Sequence, residues 1–158
     1  MAFLVMGVDP GTFATGYGLI RMQAREGEVV DFGVIRIARE LPFPERLKRI
    51  HQSLLELLER HKPDAMAVEE VFVSQNALTT LRLGHARGVI LLAGAQRGLP
   101  IAEYAPREIK QAVFGRGSAS KEQIQWMLIQ TFHLSKSIDP DAADGLATAW
   151  CHGLRASR

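Results

Sequence analysis

The pattern of apolar and polar residues divides the chain into a strand-rich first part and a helix-rich remainder. Residues 3–9, 16–23 and 28–37 are rich in Val, Ile, Leu and aromatic side chains, and glycine-containing turns separate them. Their short connections favour hairpins. The first part of the chain is therefore predicted to be an antiparallel meander of three strands.

The hydrophobic period changes after the segment "ELPFP". Apolar residues then recur at helical spacing, at Leu47, Ile50, Leu54, Leu57 and Leu58. The positions between them are polar or charged, and we assign Arg46, Lys48, Arg49, Gln52, Glu56 and Glu59 to the solvent face. The pattern predicts an amphipathic helix that ends at "HKPD".

Strands and helices alternate in the rest of the chain. We expect a buried strand over 64–72, a long helix over 75–97 and a second strand over 100–105, followed by three helices over 106–114, 120–134 and 140–155. The order strand, helix, strand requires crossover connections and so parallel pairing. The prediction is an α/β fold in a single domain (1–158), with a mixed five-stranded sheet and helices on both faces.

Composition excludes several classes of protein. The apolar run "VILLAGA" at 89–95 is far shorter than the ~20 residues that span a bilayer. The opening residues lack the features of a signal peptide. Cys151 is the single cysteine, so no internal disulfide is possible, and no Cys/His cluster has zinc-ligand spacing. We therefore expect a cytoplasmic protein with no membrane association.

The charge is unevenly distributed, although the net charge is only +2. Residues 82–121 contain seven basic and two acidic side chains, whereas acidic residues are in slight excess on either side. This segment is a candidate binding surface for a polyanion. A solvated basic face explains the same composition equally well.

Acidic residues lie at three positions where burial is expected. Asp9 ends the first strand and precedes "PGT", where an aspartate can also cap the turn. Glu69 and Glu70 follow the apolar run "AMAV". Because neighbouring strand residues point to opposite faces, only one of these two can share a site with Asp9, and the spacing does not decide which.

The third acidic position is the segment "DPDAADGLATAW". Asp139 is a plausible N-cap, with Pro140 at the first helical position. Asp141 and Asp144 then lie on one helical face. The helix dipole alone explains an acid at Asp141, but it does not explain Asp144 among alanines and apolar residues.

Four carboxylates from three elements would repel each other if they converged without compensation. At an effective dielectric constant of 20, two unit charges 4 Å apart cost on the order of 4 kcal/mol. Carboxylate oxygens without His or Cys neighbours select hard cations, chiefly Mg²⁺ or Mn²⁺. Two such ions catalyse phosphoryl displacement. The acids therefore predict a two-metal site.

The motifs "GVDPGTFATGYG", "AVEEVFVSQNA", "LRLGHARGV", "REIKQAVFGRGSASKEQI" and "DAADGLA" together resemble those of the RuvC family of Holliday-junction resolvases. The resemblance implies an RNase H-like fold and metal ligation by Asp9, Glu69, Asp141 and Asp144, with two Mg²⁺ ions that Mn²⁺ can replace. It also implies a homodimer that cuts two symmetric strands of a four-way DNA junction and leaves 5′-phosphates. The implied partner is a branch-migration complex of the RuvA and RuvB type.

The resemblance further implies DNA contacts by Phe72, Arg82, Lys110 and Lys121. Phe72 corresponds to an aromatic residue that stacks on a base. Without the resemblance, a phenylalanine after a buried strand is more often part of the core. Lys110 and Lys121 correspond to lysines that hold DNA phosphates, and a solvated surface is the alternative for either lysine.

Two glycines within the predicted long helix, Gly84 and Gly88, each cost about 1 kcal/mol relative to alanine. Close packing in a dimer interface would offset this cost, and packing within the subunit is the alternative. Other functions also remain open. They are a non-catalytic junction-binding module, an ATP-binding domain of the actin or sugar-kinase type, and an RNase H-like nuclease that processes ribosomal RNA.

Overall fold

The computed structural model describes residues 1–135 and 137–158, and these form five strands and five helices. In chain order the elements are β1 (Ala2–Asp9), β2 (Ala14–Gln23), β3 (Glu26–Arg36), α1 (Phe43–His61), β4 (Ala65–Glu69), α2 (Ala77–Gln96), β5 (Ile101–Tyr104), α3 (Pro106–Phe114), α4 (Lys121–Phe132) and α5 (Pro140–Ala156). The predicted elements are all present, and most of their bounds differ by one or two residues.

The strands form one mixed sheet in the order β3-β2-β1-β4-β5. The first three strands pair antiparallel as consecutive hairpins, whereas β4 pairs parallel with both β1 and β5. This confirms the predicted meander and the predicted crossovers. β1 is the central strand, with β2 paired on one side and β4 on the other. Its last residue, Asp9, therefore lies near the middle of the sheet edge.

Apolar residues cover both faces of the sheet, because alternate residues of each strand point in opposite directions. On one face Val5 and Ile20 pack with the apolar sides of α3, α4 and α5. On the other face Met6 and Leu19 pack with α1 and α2. The predicted arrangement of helices on both faces is confirmed.

The strand predicted over 64–72 is too long. β4 ends at Glu69, and the chain from Glu70 to Asn76 has no regular structure. The physical reason is the length of its neighbour: β5 ends at Tyr104, which is paired with Glu69, so no strand is available to extend the ladder. Phe72 consequently lies in a loop.

Helix starts follow the capping chemistry of the sequence. Asp139 caps α5, and its carboxylate accepts a hydrogen bond from the Asp141 N–H at 2.9 Å. Ser120 caps α4 in the same way, with Gln123 completing a capping box. Across residues 1–135 and 137–158, no helix has the length and apolar character needed to cross a membrane.

Candidate active site

Two adjacent parallel strands end in acidic residues at the same edge of the sheet. β1 ends at Asp9 and β4 ends at Glu69. The side chains of Asp9 and Glu69 line the same cleft, close enough for the charge of Glu69 to raise the pKa of Asp9. Glu70 lines a separate hollow with Arg87 and Glu103. The strand alternation therefore places Glu69, not Glu70, beside Asp9.

Helix α5 brings the other two acids to this edge. Asp141 lies in its first turn, and Asp144 follows about one turn later. One carboxylate oxygen from each of Asp9, Asp141 and Asp144 lies within 4.8 Å of the others. Acids that are remote in sequence thus converge in one cluster. Glu69 is not among the three residues whose oxygens lie this close together, but it lines the same cleft as Asp9 and Asp144.

Close packing of α5 on the sheet makes this convergence possible. A Cβ atom on Gly16 would lie 1.7 Å from the carbonyl oxygen of Asp141, and one on Gly7 would lie 2.2 Å from the backbone nitrogen of Ala149. Any side chain at either glycine would push the helix away from β1 and β2. Glycine at these positions therefore allows α5 to lie directly on β1 and β2, and Gly16, which is paired with Asp9, admits its first turn.

The acid cluster is strongly perturbed electrostatically. Burial, together with the negative charge of Glu69, raises the pKa of Asp9 to about 8. Burial and the charge of Asp9 raise the pKa of Asp144 to about 7. Burial also raises the pKa of Glu69, and the nearby charges of Lys121 and Lys110 oppose that increase.

The donor set fits a hard divalent cation. The cluster offers carboxylate oxygens only, which are the ligands that Mg²⁺ and Mn²⁺ prefer. In the absence of cations these carboxylates disfavour each other's ionised state, as the raised pKa values of Asp9 and Asp144 indicate. A bound cation would remove that conflict, because it stabilises the ionised state of every carboxylate around it.

A cleft of about 250 Å³ opens over the acids. Asp9, Glu69 and Asp144 line it together with Lys110 from α3 and Lys121 from the start of α4. Both lysines thus lie beside the carboxylates, where a phosphodiester would need positive charge. Their location favours the predicted phosphate contact, and it argues against the alternative that the lysines belong to a solvated surface unrelated to the site. The contact itself stays a prediction.

Arg82 lies beside the site, and Phe72 lies in the loop that follows Glu69. Phe72 is 63% exposed, so the alternative that it belongs to the core is wrong. Its ring is free to stack on a base, which remains a prediction. Arg82 lines a second hollow that also reaches Asp9 and Asp141, and its guanidinium lies 5.4 Å from the ring centroid of Phe43.

Comparison with known proteins gives the family. Residues 5–152 match the family model described as crossover junction endodeoxyribonuclease RuvC. The chain belongs to the RuvC family. A RuvC from Magnetococcus marinus is 51% identical over 148 residues, which are 94% of this chain and 82% of that protein. A RuvC from Desulforamulus reducens is 45% identical over 150 residues, which are 94% of this chain and 92% of that protein.

Solved structures agree with this assignment. The fold matches that of Thermus thermophilus RuvC in complex with Holliday junction substrate, with a TM-score of 0.91 and 34% identity over 98% of this chain and 95% of that chain. The yeast mitochondrial Holliday junction resolvase Ydc2 shares the fold with a TM-score of 0.65 at 14% identity, over 96% of this chain and 82% of that chain. The predicted RNase H-like architecture of the RuvC family is confirmed.

Sequence reasoning missed one residue beside the site. Arg46 was assigned to the solvent face of α1, yet it is only 6% exposed. Its spacing contained the signal, because Arg46, Ile50, Leu54 and Leu57 are four, four and three residues apart and so share one helical face. Because burial of a charge is costly, an arginine on the apolar face of this RuvC helix requires groups that stabilise its guanidinium.

Gly84 and Gly88 lie on the exposed surface of α2. A Cβ atom at either position would meet nothing within 4 Å among the residues that the structure describes. Packing within the subunit is therefore the wrong explanation for these glycines. A role in contact with a second subunit stays a prediction.

Proposed function

We propose that this protein is a metal-dependent endonuclease that resolves four-way DNA junctions by paired symmetric nicks that leave 5′-phosphates. The observation that carries the proposal is the convergence of Asp9, Asp141 and Asp144 within 4.8 Å, beside a cleft that Asp9 and Asp144 line together with two lysines. Membership of the RuvC family and the likeness to a RuvC solved with a junction support the choice of substrate.

Asp9, Glu69, Asp141 and Asp144 are the residues that would hold Mg²⁺, and Mn²⁺ would serve in its place. A bound pair of such ions supplies activation of a water molecule and stabilisation of the leaving oxygen in phosphodiester hydrolysis. The protein contributes a rigid frame for the acids, since two lie at strand ends and two on a helix that packs directly on the sheet.

The remaining site residues would bind and orient the DNA. Lys110 and Lys121 line the cleft and can hold the phosphates on either side of the scissile bond. Phe72 projects from an exposed loop and can stack on a base of the opened crossover. Arg82 carries positive charge to the adjacent hollow. None of these contacts reads a base edge, so cleavage preference requires further determinants.

A homodimer fits both the substrate and one surface of the subunit. Exposed residues at Leu81, Gly84, Gly88 and Leu92 recur at intervals of three or four along α2, and they form an apolar stripe with little side-chain bulk at its centre. Such a stripe permits close approach of a second copy. Two-fold symmetry would then present two acid clusters to two symmetric strands of the junction.

The expected partner is a branch-migration complex of the RuvA and RuvB type. It would present the junction to the dimer, in keeping with the cytoplasmic location expected from the sequence. This part of the proposal rests on membership of the RuvC family.

The test is incubation with a four-way junction labelled in turn on each strand, with and without Mg²⁺. We expect nicks at symmetric positions in two opposing strands, only with the metal, and ligation of the products by DNA ligase because they retain 5′-phosphates. A linear duplex and a structured RNA serve as controls. Binding without cleavage under every metal condition would favour a non-catalytic junction-binding module, and preferential RNA cleavage would favour the RNA-processing alternative.

A further inference from the structure

Five side chains beside the acid cluster form a continuous stack of arginine and phenylalanine. In order they are Arg39, Phe13, Arg46, Phe43 and Arg82, and each guanidinium lies 4.4–5.4 Å from the centroid of the adjacent ring. Phe13 follows β1 and Phe43 begins α1, so the stack joins the turn after Asp9 to this helix. We call these five residues the Arg–Phe stack.

Arg46 is at the centre of the stack and lacks a conventional partner. It is 6% exposed, and its Nε atom is buried without a hydrogen-bond acceptor among the described residues. Among the residues that the structure describes, the guanidinium groups of Arg39, Arg46 and Arg82 form no salt bridge with a carboxylate. Aromatic faces stabilise a cation, but they leave the N–H donors of the guanidinium unsatisfied.

A hollow of about 370 Å³ adjoins the stack, and Arg46 and Arg82 line it. Its other walls include the turn after β1, Thr79 from the first turns of α2, and the acids Asp9 and Asp141. One wall is therefore shared with the acid cluster, whereas Lys110 and Lys121 line the separate cleft. The hollow combines unpaired guanidinium groups with a direct connection to the reaction centre.

We propose that this hollow binds a backbone phosphate of the substrate strand next to the scissile phosphate, with Arg46 as its principal ligand. The inference rests on the proposed function, since it assumes a nucleic-acid strand lying across the acid cluster. An arginine fork matches two oxygens of one phosphate, and its permanent charge keeps it competent at every physiological pH. Phe13 and Phe43 hold the fork in place, so little conformational entropy is lost on binding.

The chemistry favours a phosphate over a base. The guanidinium groups of Arg46 and Arg82 both line the hollow, and an anion bound there reduces the repulsion between them, whereas a neutral base does not. Because the hollow adjoins Asp9 and Asp141 without containing Asp144, the bound phosphate would flank the reacting one.

The experiment uses junctions in which one phosphate at a time is replaced by an uncharged methylphosphonate. Binding is measured by fluorescence anisotropy in EDTA for the wild-type protein and for Arg46→Gln, Arg46→Lys and Arg82→Gln. Arg49→Gln is the matched control, because Arg49 lies on the same helix, is exposed, and lies outside the hollow. Thermal unfolding of each variant gives its folded fraction.

We expect neutralisation of one phosphate close to the cut to weaken wild-type and Arg49→Gln binding about tenfold, with less than about twofold effect on Arg46→Gln. Arg46→Lys should retain charge but lose most of this position-specific effect. If Arg46→Gln does not fold, Arg46→Lys and Arg82→Gln provide the comparison. If Arg46→Gln binds every junction more weakly by the same factor, whichever phosphate is neutralised, Arg46 has a structural role. That result would overturn the inference even though wild-type binding and symmetric nicking stayed intact. Failure of the wild-type protein to bind the junction would overturn the proposed function as well.

Discussion

The ammonium group of Lys121 lies 4.0 Å from a carboxylate oxygen of Asp144. The lysine side chain is 71% exposed and the aspartate side chain 27% exposed, so the positive charge lies on the solvent side of the acid. Lys121 begins α4 and Asp144 belongs to α5, and the packing of these two helices sets the distance between them. An incoming phosphodiester would therefore meet a lysine before it meets the carboxylates.

Replacement of Lys110 or Lys121 by alanine should weaken junction binding mainly at low salt. Each lysine that neutralises a phosphate releases about one counterion, so each variant should lower the slope of log K against log salt by about one. Anisotropy titrations over a range of KCl concentrations measure the slope. Lys48→Ala is the control, since Lys48 is exposed on α1, on the opposite face of the sheet. An unchanged slope in the Lys110 and Lys121 variants would mean that these lysines do not contact DNA.

Asp9→Asn, Glu69→Gln and Asp144→Asn should each abolish nicking and leave junction binding in place. Each substitution removes a charged oxygen from the proposed metal ligands while nearly preserving side-chain shape. Asp141→Asn should be impaired, and full activity would reduce Asp141 to a partner of the helix dipole. Single-turnover cleavage measures the effect.

Glu70→Gln is the matched control for the acid variants. Glu70 adjoins Glu69 in sequence but lines a separate hollow, so its variant should cleave normally. Retained cleavage in the Asp9, Glu69 and Asp144 variants would refute the assignment of the acids.

Phe72→Ala should weaken junction binding by a factor of about ten, because a stacked base contributes about 1–3 kcal/mol. The melting temperature should hardly change, since the ring is exposed and makes little contribution to the core. Phe32→Ala, at an exposed position on β3, is the control for loss of an aromatic surface residue. A large loss of stability without loss of affinity would indicate that Phe72 has a packing role.

The metal-free protein should become less stable as the pH rises. The pKa of Asp9 is raised to about 8 and that of Asp144 to about 7, from a starting value of 3.8 for each. Between about pH 4 and pH 8 the folded protein therefore holds more protons than the unfolded chain, and the free energy of unfolding falls with rising pH. Urea titrations in EDTA at several pH values measure this dependence.

Two comparisons extend the pH measurement. Asp9→Asn should show a weaker pH dependence and a higher stability at the alkaline end, because it removes the group with the largest shift. Mg²⁺ should stabilise the wild-type protein more as the pH rises, since the ion binds the ionised carboxylates. A metal-free stability that is constant or rises with pH would contradict the perturbed acid cluster.

Local sequence patterns predicted the elements of this fold well, because strand and helix periods, caps and short turns are local properties. Asp139 was predicted as an N-cap from neighbouring residues alone, and this prediction is confirmed. The parallel pairing of β4 and β5 followed from the intervening helix. The end of β4 was wrong because it depends on the length of β5, which is a property of the neighbour and not of the segment itself.

Contacts between remote elements were harder to predict. Alternation along β4 left Glu69 and Glu70 equivalent, and only the packed sheet distinguishes the faces they occupy. Gly7 and Gly16 had no local explanation, because their role is to admit the backbone of α5. Arg46 was misassigned because its charge outweighed its position in the helical period, whereas the aromatic rings that accept it come from elsewhere in the chain.

The two-metal site is tested most directly by anomalous diffraction from crystals of the protein soaked in Mn²⁺. We expect two anomalous peaks about 3.5–4 Å apart, ligated by oxygens of Asp9, Glu69, Asp141 and Asp144. Asp144→Asn crystals treated in the same way should lose at least one peak. The absence of any peak between these carboxylates in well-ordered wild-type crystals would contradict the two-metal site.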